Sequence, residues 1–117
     1  MKLGTFALAI AALGGIAAAP AVQAQAQEQF IPLLVYRTGQ FAPLGIPWAD
    51  GKQDYLKLVN AKGGVNGVKI AFEECETAYD TAKGVECYER LKNKGSGASG
   101  FDTQSTGITF ALTDKAA

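Results

Sequence analysis

The hydrophobic pattern consists of one long apolar run followed by short blocks that alternate between strand and helix periods. After Met1-Lys2, apolar and small residues extend from Leu3 to Ala19, ahead of Pro20 and the stretch Ala21-Val22-Gln23-Ala24-Gln25-Ala26. The polar residues Gln27 to Gln29 separate this run from Phe30-Ile31-Pro32-Leu33-Leu34-Val35-Tyr36. That second block is rich in strand formers and nearly continuous, which predicts a strand buried on both faces, as in a parallel sheet. Pro32 is expected at its entrance, where a missing N–H costs least. Arg37 to Ile46 is full of turn formers and reads as a loop. Pro47 is expected to set the first turn of a helix over Trp48 to Asn60, in which Tyr55, Leu56, Leu58 and Val59 recur at helical spacing. Lys62-Gly63-Gly64 supplies its stop.

A turn at Asn66-Gly67 leads into Val68-Lys69-Ile70-Ala71-Phe72, a second alternating strand that ends in Glu73-Glu74-Cys75-Glu76. Asp80 is placed to cap the next helix, which runs to about Asn93 with Ala82, Val85, Tyr88 and Leu91 on one face. A third strand is expected over Lys94 to Asp102, although its Gly and Ser residues are poor strand formers. Thr103 to Gly107 has the form of a helix-initiating loop, and Ile108 to Ala117 begins a third helix. Strands and helices in alternation with short links predict an α/β fold, a parallel β-α-β sheet with right-handed crossovers. An odd piece of such a sheet cannot cover both its faces, so a fragment of a larger protein is expected.

The N-terminal run changes the picture of where this sheet resides. A basic start, an apolar core and small residues at A-x-A spacing predict a signal peptide over residues 1–26, cleaved after Ala24 or Ala26, and an exported domain over 27–117. The other reading, a membrane anchor, needs about 20 strongly apolar residues, and this run is shorter and diluted by Ala and Gly. Without Lys2 the mature chain has ten basic and eleven acidic residues, a balance that gives no footing for nucleic acid or an anionic membrane.

Candidate chemistry is sparse. There is no His, which removes catalytic triads, and the acidic trio Glu73-Glu74-Glu76 reads as a solvated strand end rather than a metal site. Gly95-Ser96-Gly97-Ala98-Ser99-Gly100 matches G-x-G-x-x-G, but it follows a helix end and precedes a polar loop, the wrong context for a dinucleotide fingerprint. No cofactor and no metal are therefore expected. Cys75 and Cys87 are either a disulfide, as an oxidising compartment favours, or two buried thiols. Phe41 and Trp48 are either core aromatics or the wall of a ligand site beyond the carboxyl ends of the strands. Thr103, Gln104, Ser105 and Thr106 either cap a helix or, with its free amides and positive dipole end, hold a carboxylate.

The run Leu58-Val59-Asn60-Ala61-Lys62-Gly63-Gly64-Val65-Asn66-Gly67-Val68-Lys69-Ile70 resembles the helix-to-strand link of type I periplasmic binding proteins, the leucine/isoleucine/valine-binding group. The Gly39–Gly51 segment, the acidic strand end, Asp80-Thr81-Ala82 and Ser105-Thr106 fall in matching order, so the resemblance covers Ile31 to Ala117. It implies part of the N-terminal lobe of a two-lobed protein, monomeric when complete. Such a protein closes on an amino acid or related small solute in the periplasm and delivers it to an ABC transporter permease and its ATPase, without performing chemistry. By position, Thr103 and Ser105 would meet the ligand carboxylate, and Phe41 to Trp48 would form a wall. The sequence departs from the family in its Gly/Ser patch, its Asp102-Thr103-Gln104-Ser105 loop and its Cys spacing. The rival readings are a sensor or receptor ectodomain on the same fold and a secreted α/β enzyme.

Overall fold

The computed structural model describes residues 28–115; the expected leader, residues 1–26, lies outside the described residues. Five elements follow one another: β1 (Gln29–Val35), α1 (Ala42–Ala61), β2 (Ile70–Glu76), α2 (Thr81–Leu91) and α3 (Thr106–Thr113). β1 and β2 pair in parallel, from Gln29 opposite Ile70 to Val35 opposite Glu76. Along the other edge of β1 runs the segment 98–102, joined by parallel bridges from Phe30 to Ala98 and from Leu33 to Asp102. β1 is therefore central, and the expected third strand is reduced to a short ladder.

Pro32 explains part of that reduction. It is the fourth of seven residues in β1 rather than its first, which corrects the placement expected from the sequence. The Leu34 N–H donates to the Asp102 carbonyl at 2.9 Å, so the even-numbered residues of β1 face segment 98–102. Pro32 offers that side only its carbonyl, which accepts from the Asp102 N–H at 3.2 Å. The missing donor thus falls on the weaker ladder and leaves the pairing with β2 intact.

Alternation along β1 feeds two cores. Phe30 and Leu34 pack with Cys75, Cys87, Tyr88, Leu91, Ile108 and Leu112 under α2 and α3. Leu33 and Val35, with Ile31 beside them, pack with Ala49, Leu56 and Phe72 under α1. The strand is buried on both faces, as its sequence predicts.

α1 begins earlier than expected, at Ala42, with Pro43 in its first turn and Pro47 inside it. Pro47 costs one helical bond, because it has no N–H for the Pro43 carbonyl. The inward stripe of α1 is Gly45, Ala49 and Leu56, while Tyr55 and Leu58 point outward. Small residues there bring the helix close to the sheet, and of the four apolar residues read at helical spacing Leu56 packs inward and Val59 is half-buried, while Tyr55 and Leu58 are exposed. In α2 the buried face is Gly84, Cys87, Tyr88 and Leu91, with Ala82 exposed. Asp80 caps α2 as expected, its carboxylate accepting from the Lys83 N–H at 2.8 Å.

The link from α1 to β2 is clamped by Asn60. Its carboxamide donates to the Ile70 carbonyl at 2.7 Å and accepts from the Ile70 N–H at 2.8 Å, standing in for a neighbouring strand. Gly64, at φ +83°, crosses so close to the Val68 carbonyl that a Cβ would overlap it. A disulfide joins Cys75, near the end of β2, to Cys87 in α2, with Cα atoms 5.9 Å apart. Closing so short a loop stabilises the fold by about 3 kcal/mol.

Asn60→Ala is expected to lower stability by about 1–3 kcal/mol, because it strands both polar groups of a half-buried Ile70. The accompanying gain in helix propensity, at most about 0.7 kcal/mol, is smaller. Urea unfolding of the two proteins checks this: the midpoint should fall with the slope unchanged.

Candidate ligand-binding site

The carboxyl ends of β1, β2 and segment 98–102 open onto three loops, residues 36–41, 77–80 and 103–105. In open α/β sheets this is the edge at which ligands bind. The first loop is anchored by Arg37. Its guanidinium grips Glu74 with two bonds, at 2.8 and 2.7 Å, and Asp50 on α1 at 2.7 Å. The Arg37 bonds hold the Glu74 carboxyl below the ordinary glutamate range, outweighing the effect of its partial burial.

Glu76 fastens the first loop to the second. Its carboxylate accepts from the Arg37 N–H at 2.8 Å, from the Thr38 hydroxyl at 3.0 Å and from the Ala78 N–H at 2.8 Å. Partial burial pushes its pKa up, and these donated bonds more than reverse the shift, leaving it below the ordinary value. Glu73 pairs with Lys94 and Arg90. The acidic trio is thus a set of bolts between elements rather than the solvated strand end read from the sequence.

The second loop is strained. Ala78 and Tyr79 both adopt left-handed conformations, at φ +52° and +64°, which costs of order 1 kcal/mol or more per residue for side chains of this kind. Buried Thr77 compensates: its N–H and hydroxyl both donate to the Val35 carbonyl, at 2.8 and 2.9 Å, and its Oγ1 accepts from the Tyr79 N–H at 3.2 Å. The turn delivers the Tyr79 ring against Tyr36 at 5.0 Å and against Phe41 at 4.7 Å. Phe41 is the residue before α1 and keeps 39 % of its surface exposed.

Trp48 stands in different surroundings. It belongs to α1 rather than to the loop, and it lines an apolar groove of about 520 Å³ with Ile31, Leu33, Tyr55 and Leu56. Lys52 lies 5.3 Å from its ring centroid and is paired with Asp102, the residue before Thr103. Burial lowers the pKa of Lys52.

In the third loop Ser105 is buried and caps α3, its Oγ accepting from the Ile108 N–H at 3.4 Å. The Thr109 hydroxyl donates to the Ser105 carbonyl at 2.9 Å, so the Thr103 hydroxyl 2.5 Å away is the donor to Thr109. Between them Gln104 sits at φ +48°, and both polar atoms of its carboxamide are buried without a partner among the described residues. A buried orphan of this kind asks for an explanation. Thr106 and Gly107 add amides that α3 cannot satisfy from within. Sequence reasoning assigned no role to Arg37, Thr77 or Tyr79 and did not single out Gln104 within its loop; the run Thr77-Ala78-Tyr79 between a strand end and a capping Asp carried no signal of a left-handed turn.

Among the described residues no group of three His, Cys, Asp or Glu side chains is arranged to hold a metal. The Gly-rich run leads from α2 into the edge segment, and the next helix begins only at Thr106. What the edge offers is aromatic surface, hydroxyls and amides.

The family model described as periplasmic binding protein matches residues 28–117. No curated protein matches the chain. Among solved structures, one described as an ABC transporter permease from the Pseudomonas fluorescens group is 40% identical, with a TM-score of 0.72 over 77% of this chain. A fatty acid ABC transporter substrate-binding protein from Thermomonospora curvata is 25% identical, with a TM-score of 0.66 over 76% of this chain. The chain spans 22% of the length of each.

Glu74→Gln is expected to lower stability at neutral pH by about 1–3 kcal/mol, since it removes an ion from a part-buried bidentate pair. The unfolded chain takes up protons near the ordinary glutamate value, 4.5, while folded Glu74 and Glu76 resist until lower pH. Stability contributed by these groups is therefore full above that value and lost as pH falls through the lower folded pKa values. Thermal melts between pH 7 and pH 3 should show a shallower acid loss in the variant than in the parent.

The match of the family model over residues 28–117, together with the parallel sheet and its loop-lined carboxyl edge, places this chain in the periplasmic binding protein family.

Proposed function

We propose that the chain is the first part of a periplasmic solute-binding component of an ABC importer, exported through a leader over residues 1–26. It captures a branched-chain or related amino acid, or a similar small carboxylate or amide, and delivers it to a permease and ATPase without performing chemistry. The observation that carries the reading is the orphaned Gln104 carboxamide, flanked by Thr103 and Ser105 at the start of α3. A carboxylate at this edge would meet the unsatisfied amides of Thr106 and Gly107 and the positive end of the α3 dipole. The Gln104 amide, two residues before Thr106 and without a partner among the described residues, is a further donor for the same group. The description of the Thermomonospora curvata protein supports this choice of chemistry, because fatty acids and amino acids share a carboxylate.

Phe41, beside Tyr79, supplies a ring at the edge, and Trp48 walls the site from the adjoining groove. Arg37, Glu74 and Glu76 are consumed in holding the loops, so this lobe meets the ligand with hydroxyls, amides and rings rather than free charge. A second lobe would supply the partner for an ammonium group and close over the solute.

Gln104→Leu separates this reading from a purely structural one. Replacing an orphaned buried amide by an apolar group is expected to leave the free protein as stable or to stabilise it, by up to about 3 kcal/mol. The same change should abolish the rise in melting temperature that millimolar leucine, isoleucine or valine gives the parent by mass action. If none of these, nor octanoate or acetamide, raises the parent's melting temperature, the solute-binding proposal fails.

A further inference from the structure

The disulfide itself makes no contact in the ligand edge, with which its surroundings share only Glu76, and those surroundings are asymmetric. Cys75 and Cys87 are themselves largely buried, at 6% and 3% exposure, and they meet a surface pocket of about 370 Å³ lined with Glu76, Lys83, Glu86 and Arg90. The Arg90 guanidinium donates to Cys75 Sγ at 2.9 Å. Cys87 Sγ instead faces the Glu76 carbonyl oxygen at 4.0 Å, a weak contact that carries no positive charge. Of the charged groups around the pair, Glu76 turns its carboxylate to the first loop, and Glu73 is shared between Arg90, at 3.6 Å, and Lys94. Lys83 and Glu86 on α2 also line the pocket, and neither has a hydrogen bond to a sulfur among the described residues. Among the described residues, the cation in hydrogen-bond contact with the bridge therefore lies nearer Cys75 than Cys87.

We infer that Arg90 makes this bridge a directional thiol–disulfide exchange site, in which Cys87 is the sulfur attacked and Cys75 the sulfur that leaves. Exchange rates depend on the leaving thiol's pKa, and a neighbouring guanidinium lowers that pKa by stabilising the thiolate. In the first step a thiolate of an incoming dithiol bonds to Cys87 Sγ. The Cys75–Cys87 bond breaks, and its electron pair goes to Cys75 Sγ, where Arg90 holds it. The dithiol's second thiol gives its proton to water and attacks the sulfur bonded to Cys87. Cys87 leaves as a thiolate and is protonated from water, so two electrons pass from the dithiol to the bridge and the dithiol departs as a disulfide. Read backwards, an oxidising disulfide forms its mixed disulfide on Cys87, and the Cys75 thiolate closes the bridge. The partner is thus a small-molecule dithiol/disulfide couple, of a size that can enter the pocket to largely buried sulfurs.

The test is the rate at which dithiothreitol reduces the native bridge of the full chain at pH 7, for the parent, Arg90→Gln and Arg90→Lys. Arg90→Gln should react about three- to tenfold more slowly, and Arg90→Lys should recover most of the parental rate. Arg90 is largely solvent-facing, with 57% of its side chain exposed, so the variants are expected to fold. Brief treatment with glutathione followed by acid quenching should place the mixed disulfide on Cys87, located by peptide mass spectrometry. Equal or faster reduction of Arg90→Gln, or an adduct on Cys75, overturns the inference.

Discussion

Everything in this chain leans on a single strand that is covered on both faces and paired on both edges. β1 sends Phe30 and Leu34 into one core and Leu33 and Val35 into the other, so α1 on one side and α2 with α3 on the other are held through the same seven residues. Burying four such side chains is worth of order 1.5–3 kcal/mol each before conformational entropy is counted. A strand in this position has no exposed face to vary, and function is displaced to the loops at its carboxyl end.

Those loops are fixed by charge that is used up internally. Arg37, at the end of β1, reaches Glu74 on β2 and Asp50 on α1, and Glu76 gathers backbone donors from both sides of the sheet end. The part-buried Arg37–Glu74 bonds among them tolerate salt better than surface ion pairs. They leave the edge rigid and, apart from aromatic rings and the polar groups around Gln104, short of free chemistry. Strain at Ala78 and Tyr79 and the orphaned amide of Gln104 persist in the same region. That clustering is in keeping with the binding edge proposed above, since local cost of this kind is retained where a ligand offsets it.

The fold was largely legible because its determinants are local in sequence. The apolar block at residues 30–36, the Asp80 cap and the Gly63-Gly64 stop each carry their own signal, and β2 announces itself by alternation. Three misreadings share a cause: long-range context overrode a local rule. Pro32 sits mid-strand because its missing N–H falls on the weak edge, and α1 turns Gly45 and Ala49 inward because close packing on the sheet requires small residues. The acidic trio reads as solvated until Arg37, 37 residues away from Glu74, is brought beside it. Of the candidate site, the placement of Phe41, Thr103 and Ser105 at the carboxyl edge was readable from element order, and the joining of Cys75 to Cys87 was the alternative that an even count favours in a chain expected to be exported. The left-handed turn at Ala78-Tyr79 and the stranded Gln104 carboxamide were not readable, since both depend on backbone geometry that no spacing encodes.

The central claim is that a small carboxylate is held at the carboxyl edge of this sheet. The most direct measurement is amide chemical-shift mapping of the ¹⁵N-labelled chain during titration with leucine. The account expects perturbations concentrated in residues 36–41, 77–80 and 103–107, including the Gln104 side-chain amide. Perturbations centred instead on the opposite edge, around Gln29, Lys69 and Ser96, or none at saturating leucine, would contradict it.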